Sequence, residues 1–325
     1  MRGNFFAVGK KQWAQVCQLG MNPAVAFLVL ARGTGADNRT TRWSGNAVEK
    51  YAGISWRRAD SAIAEVERVK LLENLSPTGK RPTRKFAMPD DMTDVIWLPN
   101  TLIDGVADTQ SPIARLRRTQ KIEYLQAFVE LYAVQDLAGD GGIPRSLIYH
   151  AYRNESVCES GPFVIYGFNA EPTRYCYTTG PLSYFRDKVE PSGGSMSWTF
   201  LSALAKMGLL EEVEYLAESG SPDAELIHAL SGDEHAEAVR GAARAATESL
   251  PEWVVSKLDR ESYEFVLPVL RDIPAPAVVG IYRLTYRPHT GLTAAWWAKH
   301  LRACQRFTTI YEAIGQGDYV SAISA

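Results

Sequence analysis

The sequence has little cysteine, no long apolar run and almost no net charge, and each shortage closes off a class of protein. Four cysteines, Cys17, Cys158, Cys176 and Cys304, stand singly with no C-x-x-C pair, which excludes a disulfide scaffold and leaves no zinc-ribbon or thioredoxin pattern. A reducing compartment, the cytoplasm, is therefore expected. The longest apolar stretch, residues 24–31, falls far short of the roughly 20 residues that a bilayer core requires. It follows a segment containing Trp and Gln rather than a short basic leader, so it is expected to be a buried helix, neither a membrane span nor a signal peptide.

Catalytic signatures are missing as well. The chain has no G-x-x-x-x-G-K phosphate loop, no G-x-G-x-x-G, no H-E-x-x-H and no G-x-S-x-G. The five histidines, His150, His228, His235, His289 and His300, show no metal-ligand spacing, and His228 with His235 reads as a pair on a helical surface. Gly139-Asp140-Gly141-Gly142 lacks the remaining ligand positions of a calcium loop. The chain is therefore not read as an enzyme, and no catalytic residue, cofactor or metal is expected.

What is present is an ordinary globular composition, 46% hydrophobic and 22% charged, over 325 residues, enough for two or three compact units. The net charge of -2 conceals an asymmetry. Residues 1–85 carry 15 Lys and Arg against 6 Asp and Glu, and the rest carries 20 against 31, so the two parts are +9 and -11. A basic unit joined to an acidic one points to a polyanion on one side and protein contacts on the other.

The basic part has a readable order. Helices are expected over residues 10–19 and 23–32, the second opened by Asn22-Pro23. Ser44 caps a helix that runs through Tyr51, Gly53 turns the chain, and Ser55 caps a longer helix whose apolar positions Ala59, Ala62, Ile63, Val66 and Val69 follow i, i+3, i+4 spacing. Two short strands, 70–75 and 80–88, flank the turn Ser76-Pro77-Thr78-Gly79. In this order, residues 10–89 resemble a winged-helix-turn-helix domain, about a quarter of the chain. The resemblance implies a supporting helix at 44–51, a recognition helix at 55–69 and a wing at 70–88.

The rest is expected as a linker over 90–112 around a short apolar strand or turn at 95–98, a second winged-helix-like domain over 113–220 and a mostly helical region over 221–325, giving a mainly α fold with small β-hairpin wings. The second unit is suggested by a repeat at constant offset, in which Leu201, Leu204, Met207, Leu209, Leu210 and Glu211 echo Ile63, Val66, Val69, Leu71, Leu72 and Glu73. Within it, a long helix over 113–137 and another over 144–153 are expected. An insertion over 154–194 carries Phe163, Tyr166, Phe168, Tyr175, Tyr177, Tyr184 and Phe185 among Gly and Pro. Those aromatics are read as a partner or self-association surface, or else as cover for the unit's own core.

The resemblance implies duplex DNA as ligand. Outward positions of the recognition helix are Arg57, Arg58, Ser61, Glu65 and Arg68, with Ser55 at its start also counted among the DNA contacts, and the two N-terminal arginines would reach guanine edges in the major groove. Lys80, Arg81, Arg84 and Lys85 would put the wing on the backbone or minor groove, and Ser44 and Asn46 would donate to phosphate. A solvated basic face is the plainer reading of all of them. Trp56 is expected in the core, with packing on sugars and base methyls as its other reading. Arg115, Arg117, Arg118 and Lys121 form a further basic group, for which phosphate contact and a salt-bridged surface stand equal. The function expected is sequence-specific double-stranded DNA binding by a transcription regulator that forms a homo-oligomer or holds a protein partner through residues after 112. A plasmid or phage replication initiator with tandem winged helices, and a non-catalytic interaction adaptor, are the alternatives.

Overall fold

The computed structural model describes residues 4–76, 82–89, 91–106, 110–186, 188–189, 195–260, 263–288 and 290–325. The chain divides into two compact units, each assembled from separated stretches: residues 1–135, 178–209 and 284–290 in one, and 136–177, 210–283 and 291–325 in the other. The consecutive blocks expected from the sequence are therefore replaced by an interleaved arrangement. Among the described residues helix makes up 46% and strand 24%, in four sheets, so the expected mainly α class is corrected to a mixed α/β protein.

The first unit opens with β1 (Phe5–Gly9), α1 (Lys10–Gln18) and α2 (Met21–Arg32). Residues 23–31 of α2 are buried on every side, which is why that segment is uniformly apolar. β2 (Thr40–Thr41), α3 (Gly45–Ala52), α4 (Trp56–Arg68), β3 (Leu72–Asn74) and β4 (Arg84–Phe86) follow. α3 ends at Gly53, whose φ of 65° is the left-handed conformation that lets the chain turn directly into α4. α4 buries Ala59, Ala62, Ile63 and Val66, one helical face, against α2 and α3. The three short strands form an antiparallel sheet in the order β2-β4-β3.

Within the expected linker, the short apolar strand or turn expected at 95–98 is a paired strand. β5 (Val95–Pro99) pairs antiparallel with β1, Phe5 opposite Pro99 and Gly9 opposite Val95, and Phe5 meets Trp97 edge to face at 5.2 Å. After α5 (Thr101–Asp104), the expected single helix over 113–137 is two, α6 (Pro112–Arg118) and α7 (Ile122–Val134). Gln120 takes a φ of 56° between them, which breaks the helical ladder. A 3-10 turn (Gly180–Phe185) and α8 (Met196–Lys206) complete the unit.

The second unit contains β6 (Ile148–Tyr152), β7 (Asn154–Ser160), β8 (Phe163–Asn169), β9 (Thr173–Cys176), β10 (Leu210–Ala217), β11 (Leu226–Ala229), α9 (Glu234–Glu248), α10 (Glu252–Arg260), β12 (Tyr263–Leu270), β13 (Ala277–Leu284), α11 (Gly291–Gly315) and α12 (Tyr319–Ser324). Its strands form a five-stranded sheet, β11-β10-β13-β6-β9, and a three-stranded one, β12-β8-β7, with α9 packed against α11. The helix expected over 144–153 is strand β6, and the mostly helical region expected over 221–325 also contributes β11, β12 and β13. β13 is buried at all eight positions, so it lacks the alternation by which a half-exposed strand is recognised.

The second winged-helix-like domain is likewise corrected. β10 does follow α8, as the repeat suggests, but it lies between β11 and β13 in the larger sheet instead of forming the edge of a three-stranded wing. Phe163 and Phe168 of the aromatic insertion belong to the second unit's core, and Phe185 is buried in the first against Tyr124 and Phe200. Tyr184 donates its hydroxyl to Glu130 at 2.8 Å. Of the insertion's seven rings Phe163, Phe168 and Phe185 are buried, Tyr166, Tyr175 and Tyr184 are half-buried, and Tyr177 is exposed. No helix among the described residues is long and apolar enough to cross a membrane.

Candidate nucleic-acid interface

The side of α4 facing away from α2 and α3 carries Arg57, Ser61 and Arg68, spaced by four and seven residues so that they form one stripe, with Arg58 beside it. All four are exposed, as is Ser55 at the helix start. Among the described residues no carboxylate lies within ion-pair distance of Arg57, Arg58 or Arg68. The Glu49 carboxylate of α3 accepts the Trp56 backbone N–H at 3.2 Å and so fixes the angle at which α4 leaves the turn. Ser44 and Asn46 stand at the start of α3, Ser44 half-buried and Asn46 exposed. Neither Ser44 nor Ser55 spends its hydroxyl on the expected cap hydrogen bond, although both occupy the N-cap position.

Trp56 is overturned as a core anchor, being 54% exposed. Gly45 of α3 lies beside the ring, where a Cβ would stand at ordinary contact distance, 3.4 Å, from the indole edge. The indole is left beside Arg57 at the helix N-terminus, an apolar plane among cations.

The strand cations divide by alternation. Lys85 is exposed, whereas Arg84 and Phe86 point inward. Arg84 is 6% exposed; its Nε donates to Glu67 at 2.6 Å and its Nη1 to the Trp43 carbonyl at 3.4 Å. Arg84 is thus corrected from a phosphate contact to an internal strut between β4 and α4. Lys80 and Arg81 lie outside the described residues.

The second basic group also divides. Arg115 is turned inward, where it donates to the Met207 carbonyl and to the Tyr286 hydroxyl. Arg117 donates to the carbonyls of Ala52 and Gly53 at the end of α3, at 3.3 and 3.4 Å, and so supports the turn that launches α4. Burial, with the nearby guanidiniums of Arg58 and Arg118, holds its pKa below the ordinary arginine value. Three guanidiniums thus repel one another near the α3–α4 turn, and an anion placed there relieves that repulsion.

In the second unit the structure joins residues that are far apart in sequence. His300 Nε2 lies 2.7 Å from Asp233, the N-cap of α9, and its Nδ1 faces the Tyr215 hydroxyl at 3.5 Å. Cys304 Sγ is 3.7 Å from His300 Nε2, and burial pushes the thiol up to about 11. A cavity of about 240 Å³ opens beside this network, lined among others by Asp140, Arg145, Trp296, Lys299 and His300. His228 and His235 are not a surface pair, since His228 is buried on β11 and His235 lies on α9. His150 meets Glu212 and Glu214, a grouping hidden by a separation of more than 60 positions. Only the two carboxylates, at i and i+2 on one strand, leave a local trace in the sequence.

Comparison with protein-family models, with curated proteins and with solved structures finds no match to this chain.

Proposed function

We propose that the chain is a transcription regulator that binds double-stranded DNA sequence-specifically through the basic part of its first unit, as a winged helix, in the cytoplasm. The observation that carries this reading is the α4 stripe: Arg57, Arg58 and Arg68 are exposed on one helix with no ion-pair partner among the described residues, and that helix follows a tight turn from α3 and precedes a three-stranded sheet of order β2-β4-β3. A protein with no polyanionic ligand gains nothing from leaving these charges together near Arg117 and Arg118. In the proposed pose α4 enters the major groove. Arg57 and Arg58 reach base edges from its N-terminal turn, Ser61 and Arg68 line the groove, and Trp56 packs on a sugar or a thymine methyl. Ser44, Asn46, Ser55 and Lys85 face the backbone.

The replication-initiator reading draws on a second copy of the winged pattern, and the strand order around β10 withdraws that support. The adaptor reading leaves the unpaired arginines without a role.

The test is a titration of the full chain against labelled duplexes at several salt concentrations, followed by selection of bound sequences from a random pool. About four to five phosphate contacts give a log-log salt slope near -4, at roughly -0.9 per contact, together with enrichment of a defined sequence. A salt-independent or absent interaction overturns DNA binding. A steep slope without enrichment overturns sequence specificity.

A further inference from the structure

We propose that His150, Glu212 and Glu214 form a binding site for one divalent transition-metal ion of the zinc class. The three residues stand on two strands of the five-stranded sheet that are separated by one other, His150 on β6 and both glutamates on β10, with β13 between them. Glu212 and Glu214 are two apart on one strand and share a face. Gly280 of β13 is the direct cross-strand neighbour of His150, and a Cβ there would come within 1.9 Å of the imidazole. With hydrogen alone at 280, the ring lies across β13 and reaches toward β10. One ligand atom from each of the three residues then falls within 4.8 Å of the others.

The proton positions leave the inner nitrogen bare. His150 Nδ1 is 3.2 Å from the Tyr282 hydroxyl, and that hydroxyl is also hydrogen-bonded to Glu212. An ionised carboxylate only accepts, so the tyrosine O–H donates to Glu212 and its oxygen accepts from Nδ1–H. Nε2 is therefore left with its lone pair. It is buried, the residue being 1% exposed, and no partner lies within normal hydrogen-bond distance of it, its contact with Glu214 being a long one. The atom it faces is Glu214 Oε1 at 3.8 Å, also an acceptor. Two acceptors facing each other across a buried gap call for a proton or a metal ion between them, and the second carboxylate, Glu212, favours the metal.

The surroundings orient the donors as outer partners do around metal ligands. Tyr282 holds the imidazole from its far nitrogen, and the Ser231 hydroxyl donates to Glu214 Oε2, leaving Oε1 for the ion. Bond lengths near 2.1 Å place tetrahedral ligand atoms about 3.4 Å apart, so Nε2 and Glu214 Oε1, 3.8 Å apart, need to close by a few tenths of an ångström, while Glu212, whose Oε2 stands 4.0 Å from Nδ1, must turn further toward the ion. One imidazole with two carboxylates selects zinc or manganese over calcium or magnesium, which take oxygen ligands. Glu212, with 34% of its side chain exposed, provides the entry side. Arg174 Nη1, 4.0 Å from Glu212 and half-exposed, is a competing cation at that edge.

A proton on Nε2 would bridge the same gap, and the experiment separates the two cases. Metal-stripped full chain is titrated with Zn2+, and with Co2+ for its visible absorption bands; Glu214→Gln, Glu212→Gln, His150→Gln and Arg174→Met are treated alike, with circular dichroism to verify folding. The expected result is one equivalent bound by the wild type with cobalt bands of a nitrogen- and oxygen-liganded ion. At least about tenfold weaker binding is expected in every folded ligand variant, and tighter binding in Arg174→Met. Glu212→Gln changes a partly exposed side chain, so it keeps the test open if His150→Gln misfolds. No stoichiometric binding by the wild type, as expected if His150 is held by a proton alone, overturns the proposal. So does equal affinity in the wild type and the folded glutamine variants, since the ion would then sit elsewhere.

Discussion

Arg84 Nε donates to the Glu67 carboxylate at 2.6 Å and thereby fastens strand β4 to the C-terminal half of α4. The pair is mostly dry, with 8% of the arginine side chain and 26% of the glutamate side chain exposed. Breaking such a pair from one side leaves a charge without its partner, at about 3 kcal/mol. Arg84→Ala is therefore expected to lower the stability of the intact chain by about that amount in urea unfolding. Glu67→Ala on the Arg84→Ala background should add little, because the interaction is already gone. A phosphate-contacting Arg84 would show the reverse: normal stability and a salt slope of DNA binding shallower by about 0.9.

The exposed arginines should behave differently. Arg57→Ala and Arg58→Ala remove no internal contact and are expected to change stability by less than about 0.5 kcal/mol. Each should cost about 1–3 kcal/mol on the preferred duplex and much less on random duplex, because base-edge contacts specify. Lys85→Ala should weaken both duplexes equally. Competition binding with both duplexes checks this, and equal losses for all three variants would remove the base-reading role from α4.

The contrast between Arg84 and Lys85 shows what the sequence made legible. Periodicity located α4, because Ala59, Ala62, Ile63 and Val66 can share a face only in a helix, and the outward arginines followed from it. The same logic with a period of two would have grouped Arg84 with Phe86 on the inner face; a count of cations in the hairpin grouped it with Lys85 instead. Other features had no local signal. The break at Gln120 depends on a positive φ at a residue that usually accepts helix, and β13 is apolar at both faces. The partners His150 and Glu214 meet only because β13 brings Gly280 between them.

The aromatic insertion yields a stability prediction instead of an assembly prediction. Phe168 is fully buried and lies opposite Phe265 in the β8–β12 pair, and Phe185 stacks on Phe200 at 4.7 Å. Phe168→Ala and Phe185→Ala should each cost about 3–5 kcal/mol in chemical unfolding. Deleting residues 154–194 should damage both units, since it removes the Phe185 and Tyr184 contacts of the first as well as β7, β8 and β9 of the second. Loss of cooperative unfolding in the deletion would agree. A deletion that changes only sedimentation, with the first unit intact, would restore the interface reading.

His228 provides the pH dependence. On β11 its Nε2 is 2.8 Å from the Tyr311 hydroxyl and its Nδ1 is 3.1 Å from the Ala229 carbonyl. A neutral ring with its proton on Nδ1 satisfies both contacts, donating to the carbonyl and accepting from the tyrosine. Protonation at Nε2 would set a donor against that hydroxyl in a dry site, and burial lowers the pKa to about 4 from the ordinary 6.5. In the unfolded chain the imidazole takes its proton near pH 6.5; in the folded chain it does so only near pH 4. Unfolding between those values takes up a proton, so stability falls as the pH drops from about 6.5 to about 4, by about 3 kcal/mol from this residue. Carboxylates with depressed pKa values, Asp233 among them, add to the acid loss but are common to any His228 variant. His228→Gln keeps an oxygen that accepts from Tyr311 and removes the titration. Urea unfolding of both proteins at pH 7 and pH 4.5 should give a smaller acid loss for the variant by about 2–3 kcal/mol. Equal losses would mean that His228 is already protonated in the folded chain.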